Sequence, residues 1–254
     1  MELSPEILSA FQTGIIETGK FWERFGGLPS LEGRHILDVG CGYGSLCTAL
    51  ANAGAERVVG IDINPVKTDT AAAILRREYP HLAERLEFKC IDLGDYPDRS
   101  FDYIVSKDSF EHIMDPARML EQMKRRLKPG GKLYIGFSPL YNSPFGGHGI
   151  SELAWGFNMP WGHLLLPEQI ITKRLSRHYG KTISSITDVG LNKQSLATFK
   201  RIFHQSGMSV IFFKTNCSER MGLKIMNILA KIPFLREFFT HNLYSILQKE
   251  QSNS

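Results

Sequence analysis

The chain has 254 residues, 43% of them hydrophobic and 22% charged, with a formal net charge of +4. That length accommodates one large domain, or a domain with insertions, and a real core without disulfide or metal staples. So small a charge does not by itself argue for nucleic acid, and no run approaches the ~18 uncharged apolar residues that cross a membrane.

The opening residues, MELSPEILSA, have neither a basic segment nor an apolar core, so no secretory leader is expected. Residues 1–33 read as an N-terminal helical cap. Five short apolar runs then alternate with helical segments: HILDVG (35–40), RVVGID (57–62), LEFKCID (86–92), FDYIVSKD (101–108) and KLYIGFSP (132–139). Asn64-Pro65 and Asp115-Pro116 each set a capping side chain before a proline at the first helical position. Gly54 and the Pro129-Gly130-Gly131 turn are the expected ends of two helices. Strand and helix in strict alternation imply a parallel sheet with helices on both faces. After Pro139 the alternation stops, in an aromatic, glycine-broken stretch, SPFGGHGISELAWGFNMPWGHLL (143–165). It resumes with a helix from about Asn192 to Ser206, a strand MSVIFFKTN (208–216), helical material over 220–239 and a last alternating run, HNLYSILQKE (241–250). The four cysteines, Cys41, Cys47, Cys90 and Cys217, form no C-x-x-C pair; this argues against a zinc site or redox dithiol and suits a reducing cytoplasm.

The first strand runs into ILDVGCGYGSL (36–46), where Gly40, Gly42 and Gly44 are spaced G-x-G-x-G ahead of a helix. Such a turn reverses sharply and lets the backbone approach a ligand closely. The second strand ends in Asp62, whose carboxylate can hold a ribose diol. A pyrophosphate-binding loop wants glycine where this chain has Ser45, which disfavours a nicotinamide oxidoreductase. Together with Asp92 in FKCIDL, FDYIVSKDSFEHIMDP and LKPGGKLYI, the ordered series over 34–139 resembles the class I S-adenosylmethionine-dependent methyltransferases, the methyltransferase-11 type in particular.

The resemblance implies an α/β, doubly wound Rossmann-like seven-stranded sheet with an antiparallel last strand, HNLYSILQKE, plus helical and irregular cap insertions. The core would be 34–139 and 187–254, with 140–186 a substrate-binding insertion or lid. The implied cofactor is S-adenosylmethionine. Carried over by position, Gly40, Cys41 and Gly42 would line its methionine part, and Asp38 would brace that loop. Asp62 would accept from both ribose hydroxyls, with Ile63 against the adenine. Asp92 would accept the adenine amino group beside Leu93, and Lys107 and Asp108 would face the reacting centre.

Ligands of open α/β sheets lie beyond the carboxyl ends of the strands. The stretch after Pro139 and the loop over 217–240 emerge there, so both are expected to cover one pocket as acceptor site and lid. Tyr141, Trp155 and Trp161 are the candidate acceptor contacts, with Trp22, near Phe21 and Phe25, closing the side. Methyl transfer is an in-line displacement in which positioning supplies ~7–11 kcal/mol. A hydroxyl acceptor also profits from a base, and His112, His148 and His163 are the candidate catalytic residues. The same histidines would join Asp108 or Glu111 around a metal only against their sequence spacing, so no metal is expected. Lys124, Arg125, Arg126 and Lys128 read as a solvated helix face, and Cys41 as a small packing residue.

In RMGLKIMNILAKIPFLREFF, from Arg220 to Phe239, Leu223, Met226 and Leu229 share one side and Arg220, Lys224, Lys231 and Arg236 are interspersed. Such a helix packs on its own domain or lies on an anionic membrane, and packing is preferred here. The expected acceptor is a small molecule, natural product or glycan, methylated on oxygen, with lipid, quinone and RNA ranked below. No nucleic-acid partner is expected, and the chain is expected in the cytoplasm, as a monomer or homodimer, with 220–239 the candidate for a peripheral membrane contact. The rival from another class is a non-catalytic adenosylmethionine-binding sensor or partner subunit.

Overall fold

A computed structural model describes residues 3–97, 100–216 and 221–251, without the side chains of 151, 154 and 221–223. Cys217 and Arg220 lie outside the described residues, as does the side chain of Leu223. Helix α1 (Pro5–Glu23) is capped by Ser4, which accepts from the Ile7 amide. Then come β1 (His35–Val39), α2 (Ser45–Asn52), β2 (Arg57–Asp62), α3 (Pro65–Glu78), β3 (Leu86–Cys90), β4 (Phe101–Lys107), α4 (Pro116–Arg126) and β5 (Leu127–Phe137). The proline-led helices start where capping demands. Asn64 accepts from the Val66 and Lys67 amides, and Asp115 from that of Arg118. Helix α4 ends at Arg126, not at Pro129-Gly130-Gly131. Leu127 is already extended and paired with Phe101, and the turn sits in the ladder where the register slips before Tyr103.

After β5 come α5 (Ile150–Trp155), α6 (Gly162–Leu165), α7 (Glu168–Tyr179), α8 (Leu196–Gln205), β6 (Ser209–Thr215), α9 (Met221–Leu229), α10 (Arg236–Phe239) and β7 (Leu243–Gln248). The seven strands form one sheet in the order β3-β2-β1-β4-β5-β7-β6. Strand β7 runs antiparallel to both neighbours, with Leu243 opposite Phe137 and Thr215. The chain winds outward from β1 to β3 and returns to β4 beside β1. The carboxyl ends of β1 and β4 therefore flank a topological switch point, where a crevice opens.

Neighbouring residues of each central strand point to opposite faces, and both faces are covered. Leu37, Val59 and Ile104 pack with Leu120 and Met123 of α4 and Phe199 and Phe203 of α8. Ile36, Val58 and Val105 pack with Leu46 and Leu50 of α2, and Phe21, Trp22 and Phe25 belong to the same cluster. Full burial of each such side chain stabilises the fold by ~1.5–3 kcal/mol. Trp22 is therefore not a pocket wall: it is 3% exposed, its ring edge-on to Tyr134 at 5.2 Å. A large aromatic near a chain end serves a sheet face as readily as a ligand, and here the sheet takes it.

The segment between β5 and α8 builds a small core of its own, from Ile150, Ile171, Leu175, Ile183, Ile186 and Leu191. In α9 the expected packing covers only part of the apolar surface. Ile225 and Ile228 stand exposed, as does Phe234 beyond the helix. Among the described residues no helix is long and apolar enough to cross a membrane.

Candidate active site

Beyond β1 the chain turns through Gly40, Gly42 and Gly44, all at positive φ (82°, 55° and 83°). At Gly44 a Cβ would also run into the Phe88 ring, so glycine is required twice over. The amides of Gly40 and Cys41 donate to the Ile61 carbonyl at 2.9 and 3.0 Å, clamping the loop onto β2. Asp62 at the end of β2 accepts the Gly42 amide at 3.0 Å on one oxygen and the Asn64 amide at 2.9 Å on the other. Each oxygen keeps a lone pair for a further donor. Asp38 lies beneath the loop, 2% exposed, accepting the Cys47 thiol at 3.2 Å. Burial pushes its carboxyl up to about 7. Cys41 is buried beside it, a packing residue as expected.

These elements rim a cavity of about 940 Å³, within the ~300–1,000 Å³ of small-molecule sites. Its walls include Gly40, Asp62, Ile63, Asp92, Leu93 and Asp108. Ile63 is 76% exposed although apolar, a surface that a flat ring would cover. Asp92 caps the turn Leu93–Asp95 by accepting the Gly94 amide at 2.6 Å. That turn is held from behind by Arg126, which donates to the carbonyls of Tyr96 at 3.0 Å and Gly94 at 3.2 Å. Arg126 is thus buried, not solvated. Lys124 and Lys128 are also engaged, on the Gly207 carbonyl and on Asp102. The missed signal was register: Arg126 lies three residues beyond Met123, on the face that buries Leu120.

At the end of β4, Asp108 takes φ +49° and donates its amide to the Gly136 carbonyl at 2.9 Å. Its carboxylate meets Lys107 Nζ at 2.9 Å. Asp108 lines the cavity, with Lys107 beside it. One turn on, Glu111, His112 and His148 bring one donor atom each within 4.8 Å of one another. His112 Nδ1 lies 2.8 Å from the Gly190 carbonyl, so it carries the proton and leaves Nε2 free. His148 sits at φ +48° between two glycines, a conformation that costs a residue with a Cβ ~1–3 kcal/mol. Desolvation of its ring, with His112 nearby, pushes His148 down to about 4, although solvent reaches the residue. Glu111 is 5% exposed, and burial pushes it up to about 8.

The third histidine is elsewhere. His163 is 2% exposed, with Nε2 at 2.5 Å from the Tyr141 carbonyl and its ring edge-on to Tyr141. It is a strut within the inserted segment. Trp155 donates to the Gly162 carbonyl at 3.1 Å, and Trp161 to that of Phe238 at 3.2 Å. Among the described residues, none of Trp22, Tyr141, Trp155, Trp161, Lys107 or His163 lines the large cavity. Tyr141 and His148 instead border a small recess with Glu111 and Asn192. The stretch after Pro139 and the β6–β7 connection meet each other, but among the described residues neither lines the large cavity that both were expected to cover. Glu237 accepts from Asn142 at 3.0 Å and from the Leu196 amide at 2.7 Å. They meet beyond β5 and β7, because the indole N–H groups find carbonyls in the loops themselves. Gly190, just past the inserted segment, reaches the cavity's edge through His112, and the His148 ring lies tilted to that ring at 5.1 Å.

Residues 37–135 match the model of a family described as a methyltransferase domain. A ubiquinone biosynthesis O-methyltransferase of Bradyrhizobium diazoefficiens is 33% identical over 117 residues, 46% of this chain and 44% of that protein. The Coxiella burnetii protein of the same name is 37% identical over 106 residues, 42% of this chain and 44% of its own length. The chain thus spans less than half the length of these curated relatives. Among solved structures, an S-adenosylmethionine-dependent methyltransferase of Mesorhizobium loti superposes with TM-score 0.60 at 17% identity, over 92% of this chain and all of that one (100%). Phosphoethanolamine N-methyltransferase 2 of Haemonchus contortus, solved with S-adenosyl-L-methionine, gives 0.61 at 17% identity, over 98% of this chain and 58% of that one. The [4+2]-cyclase SpnF gives 0.60 at 19%, over 95% and 83%.

Proposed function

We propose that this chain, whose residues 37–135 are a methyltransferase domain within a complete class I fold, is an S-adenosylmethionine-dependent O-methyltransferase acting on a hydroxylated ring of the quinone-biosynthetic kind. The observation that carries the first half is Asp62. Both its oxygens are aimed by backbone amides and keep acceptor capacity, beside the exposed Ile63 and the capping Asp92. A carboxylate for a diol, an apolar shelf for a ring and a second acid for an amino group fit a nucleoside, and Ser45 stands where a pyrophosphate-binding loop carries glycine.

In this reading Asp62 holds the ribose hydroxyls, Ile63 and Leu93 enclose the adenine, Asp92 accepts its amino group, and the Gly40–Gly42 backbone passes along the methionine part. Bound S-adenosylmethionine supplies a methyl group on a positively charged sulfur. Asp108, its carboxylate paired with Lys107, stands at the end of β4 on the wall of the same cavity. His112, on the cavity wall, and His148 beside it hold the acceptor hydroxyl at the cavity's edge. His163 positions the segment after Pro139 and takes no proton.

The relatives' shared name supports a quinone-pathway acceptor, reversing the order read from the sequence, which set quinones below small molecules and glycans. The exposed Ile225, Ile228 and Phe234 beside Lys224 and Lys231 support the same choice. A surface both apolar and basic suits an anionic bilayer, where quinone intermediates dissolve. A fold does not confer a reaction, and a [4+2]-cyclase shares this one. The test is therefore turnover: labelled S-adenosylmethionine offered with fractionated extract. Label in the quinone fraction supports the proposal. Label only in polar small molecules or glycans overturns the acceptor, and S-adenosylhomocysteine binding without label in any fraction favours a binding protein.

A further inference from the structure

We infer that Gln122, on the second turn of α4, selects the purine of the nucleoside. Its side-chain amide donates to a ring nitrogen next to the amino group that Asp92 accepts, so the cavity takes adenine and rejects purines with a carbonyl in that place. This role rests on the nucleoside half of the methyl-transfer reading.

Gln122 lines the large cavity together with Asp92, Leu93 and Gly94. Helix α4 buries Leu120, Met123 and Arg126, and Gln122 stands half-buried at the margin of that face. Its side-chain amide has no hydrogen-bond partner among the described residues. An amide placed so keeps its bonds for whatever fills the cavity. Asp92 is close by. Its Oδ1 accepts the Gly94 amide at 2.6 Å, and a carbon added to Gly94 would lie 2.8 Å from that oxygen and 2.9 Å from Gln122 Nε2. Two polar ends, one from the loop after β3 and one from α4, thus converge over a residue that puts nothing between them. Gly94 is not among the glycines at positive φ, so it is the close approach, not the turn, that wants glycine here.

The pair is held from behind. Arg126 donates from Nη1 to the Gln122 carbonyl at 3.1 Å and from Nη2 to the Gly94 carbonyl at 3.2 Å. One buried guanidinium therefore ties the backbone that carries Gln122 to the turn that Asp92 caps, and its planar fork fixes both together. A carboxylate accepts and an amide nitrogen donates. Side by side they match a ring edge that presents an amino donor next to a nitrogen acceptor. Adenine presents that pair, and a glutamine amide is a recurrent partner for it. Hypoxanthine and guanine carry a carbonyl oxygen at the amino position, which would set acceptor against acceptor at Asp92.

The test is calorimetry with S-adenosylhomocysteine, its inosyl analogue and its 1-deaza and 7-deaza analogues. Gln122→Met keeps the side chain's length and removes the amide, and S-adenosylhomocysteine should bind it roughly 3–10-fold more weakly. The parent should reject the inosyl analogue by ~10²-fold or more. One deaza analogue should lose the same factor on the parent and nothing on Gln122→Met, because the nitrogen it lacks is the one that the amide contacts. Exposed Gln205→Leu should change nothing, and thermal melts establish that both variants fold. Deaza losses that are equal on parent and Gln122→Met leave Gln122 as packing and overturn the contact. An inosyl analogue bound as well as S-adenosylhomocysteine overturns the selection of adenine. If the parent binds S-adenosylhomocysteine and Gln122→Met binds it equally well, the role of Gln122 falls and the nucleoside reading stands. If the parent does not bind it at all, the nucleoside reading falls and takes this role with it.

Discussion

Beyond β1, β2 and β3 the chain turns within a few residues, and the groups that face the cavity are backbone amides and short acids. Beyond β5 it runs from Ser138 to Ser195 before α8 returns it to the sheet, and the β6–β7 connection meets it there. In the first region position is inherited from the sheet: Asp62 stands where β2 ends, and its carboxylate is aimed by Gly42 and Asn64. In the second, position is set by side chains on carbonyls: Trp161 on Phe238, His163 on Tyr141, Asn192 on Phe110. Each such bond is worth ~0.5–1.5 kcal/mol net. The end proposed to hold the nucleoside is thereby set by the sheet, and the end proposed to hold the acceptor is set by its own loops.

The largest expected effect is on the side set by the sheet. Asp62→Ala removes an ionised acceptor from two ribose hydroxyls, at ~1.5–3 kcal/mol each. S-adenosylhomocysteine affinity should fall by ~10²–10⁴-fold in calorimetry, and unchanged affinity would discard the assignment of this cavity. Arg126→Met comes next. It takes the Arg126 donors away from the carbonyls of Gly94 and Tyr96 and loosens the Asp92 turn. Unfolding should become easier by ~2–4 kcal/mol, with S-adenosylhomocysteine about tenfold weaker. Weakened stability without weakened affinity would separate that turn from the ligand.

A paired test asks whether the histidines divide as the structure divides them. His163→Ala should lower the melting temperature, for a loss of ~1–3 kcal/mol, and leave turnover per folded molecule unchanged. His148→Ala should leave the melt and S-adenosylhomocysteine affinity alone and cut turnover at least ~10²-fold. If the two behave alike, the inserted segment is one cooperative unit and the distinction between strut and site fails.

The five parallel strands, the two proline-led helices and the antiparallel β7 were legible because each follows from local pattern: alternation, a cap before proline, a glycine turn. The same holds for the residues at the ends of β1, β2 and β4, whose place in space follows from their place in a strand. Trp22 and His163 were not legible, since an aromatic or a histidine looks the same whether it meets a ligand or a neighbouring strand. The pairing of His112 with His148 was hidden because thirty-six positions separate them (148 − 112) and only the fold closes that gap. Arg126 was misread because a run of positive charge conceals that one member faces inward.

The smallest expected effect lies at the outer margin of the acceptor end. Ile225 and Ile228 are more than half exposed on α9, with Lys224 and Lys231 exposed alongside. On an anionic bilayer each lysine near the surface contributes ~1 kcal/mol, about a fivefold change in partition. Lys231→Glu should therefore reduce co-sedimentation with phosphatidylglycerol vesicles by at least that factor, and Ile228→Ser should reduce it further, because apolar area leaves the acyl boundary. Both variants should keep the parent affinity for S-adenosylhomocysteine, since none of residues 224–231 lines the large cavity. Loss of vesicle binding with loss of S-adenosylhomocysteine binding would mean that the two ends are coupled through β7. Vesicle binding indifferent to both changes would leave the apolar face of α9 to a protein partner, and the case for a membrane-dissolved acceptor would then rest on the relatives' name alone.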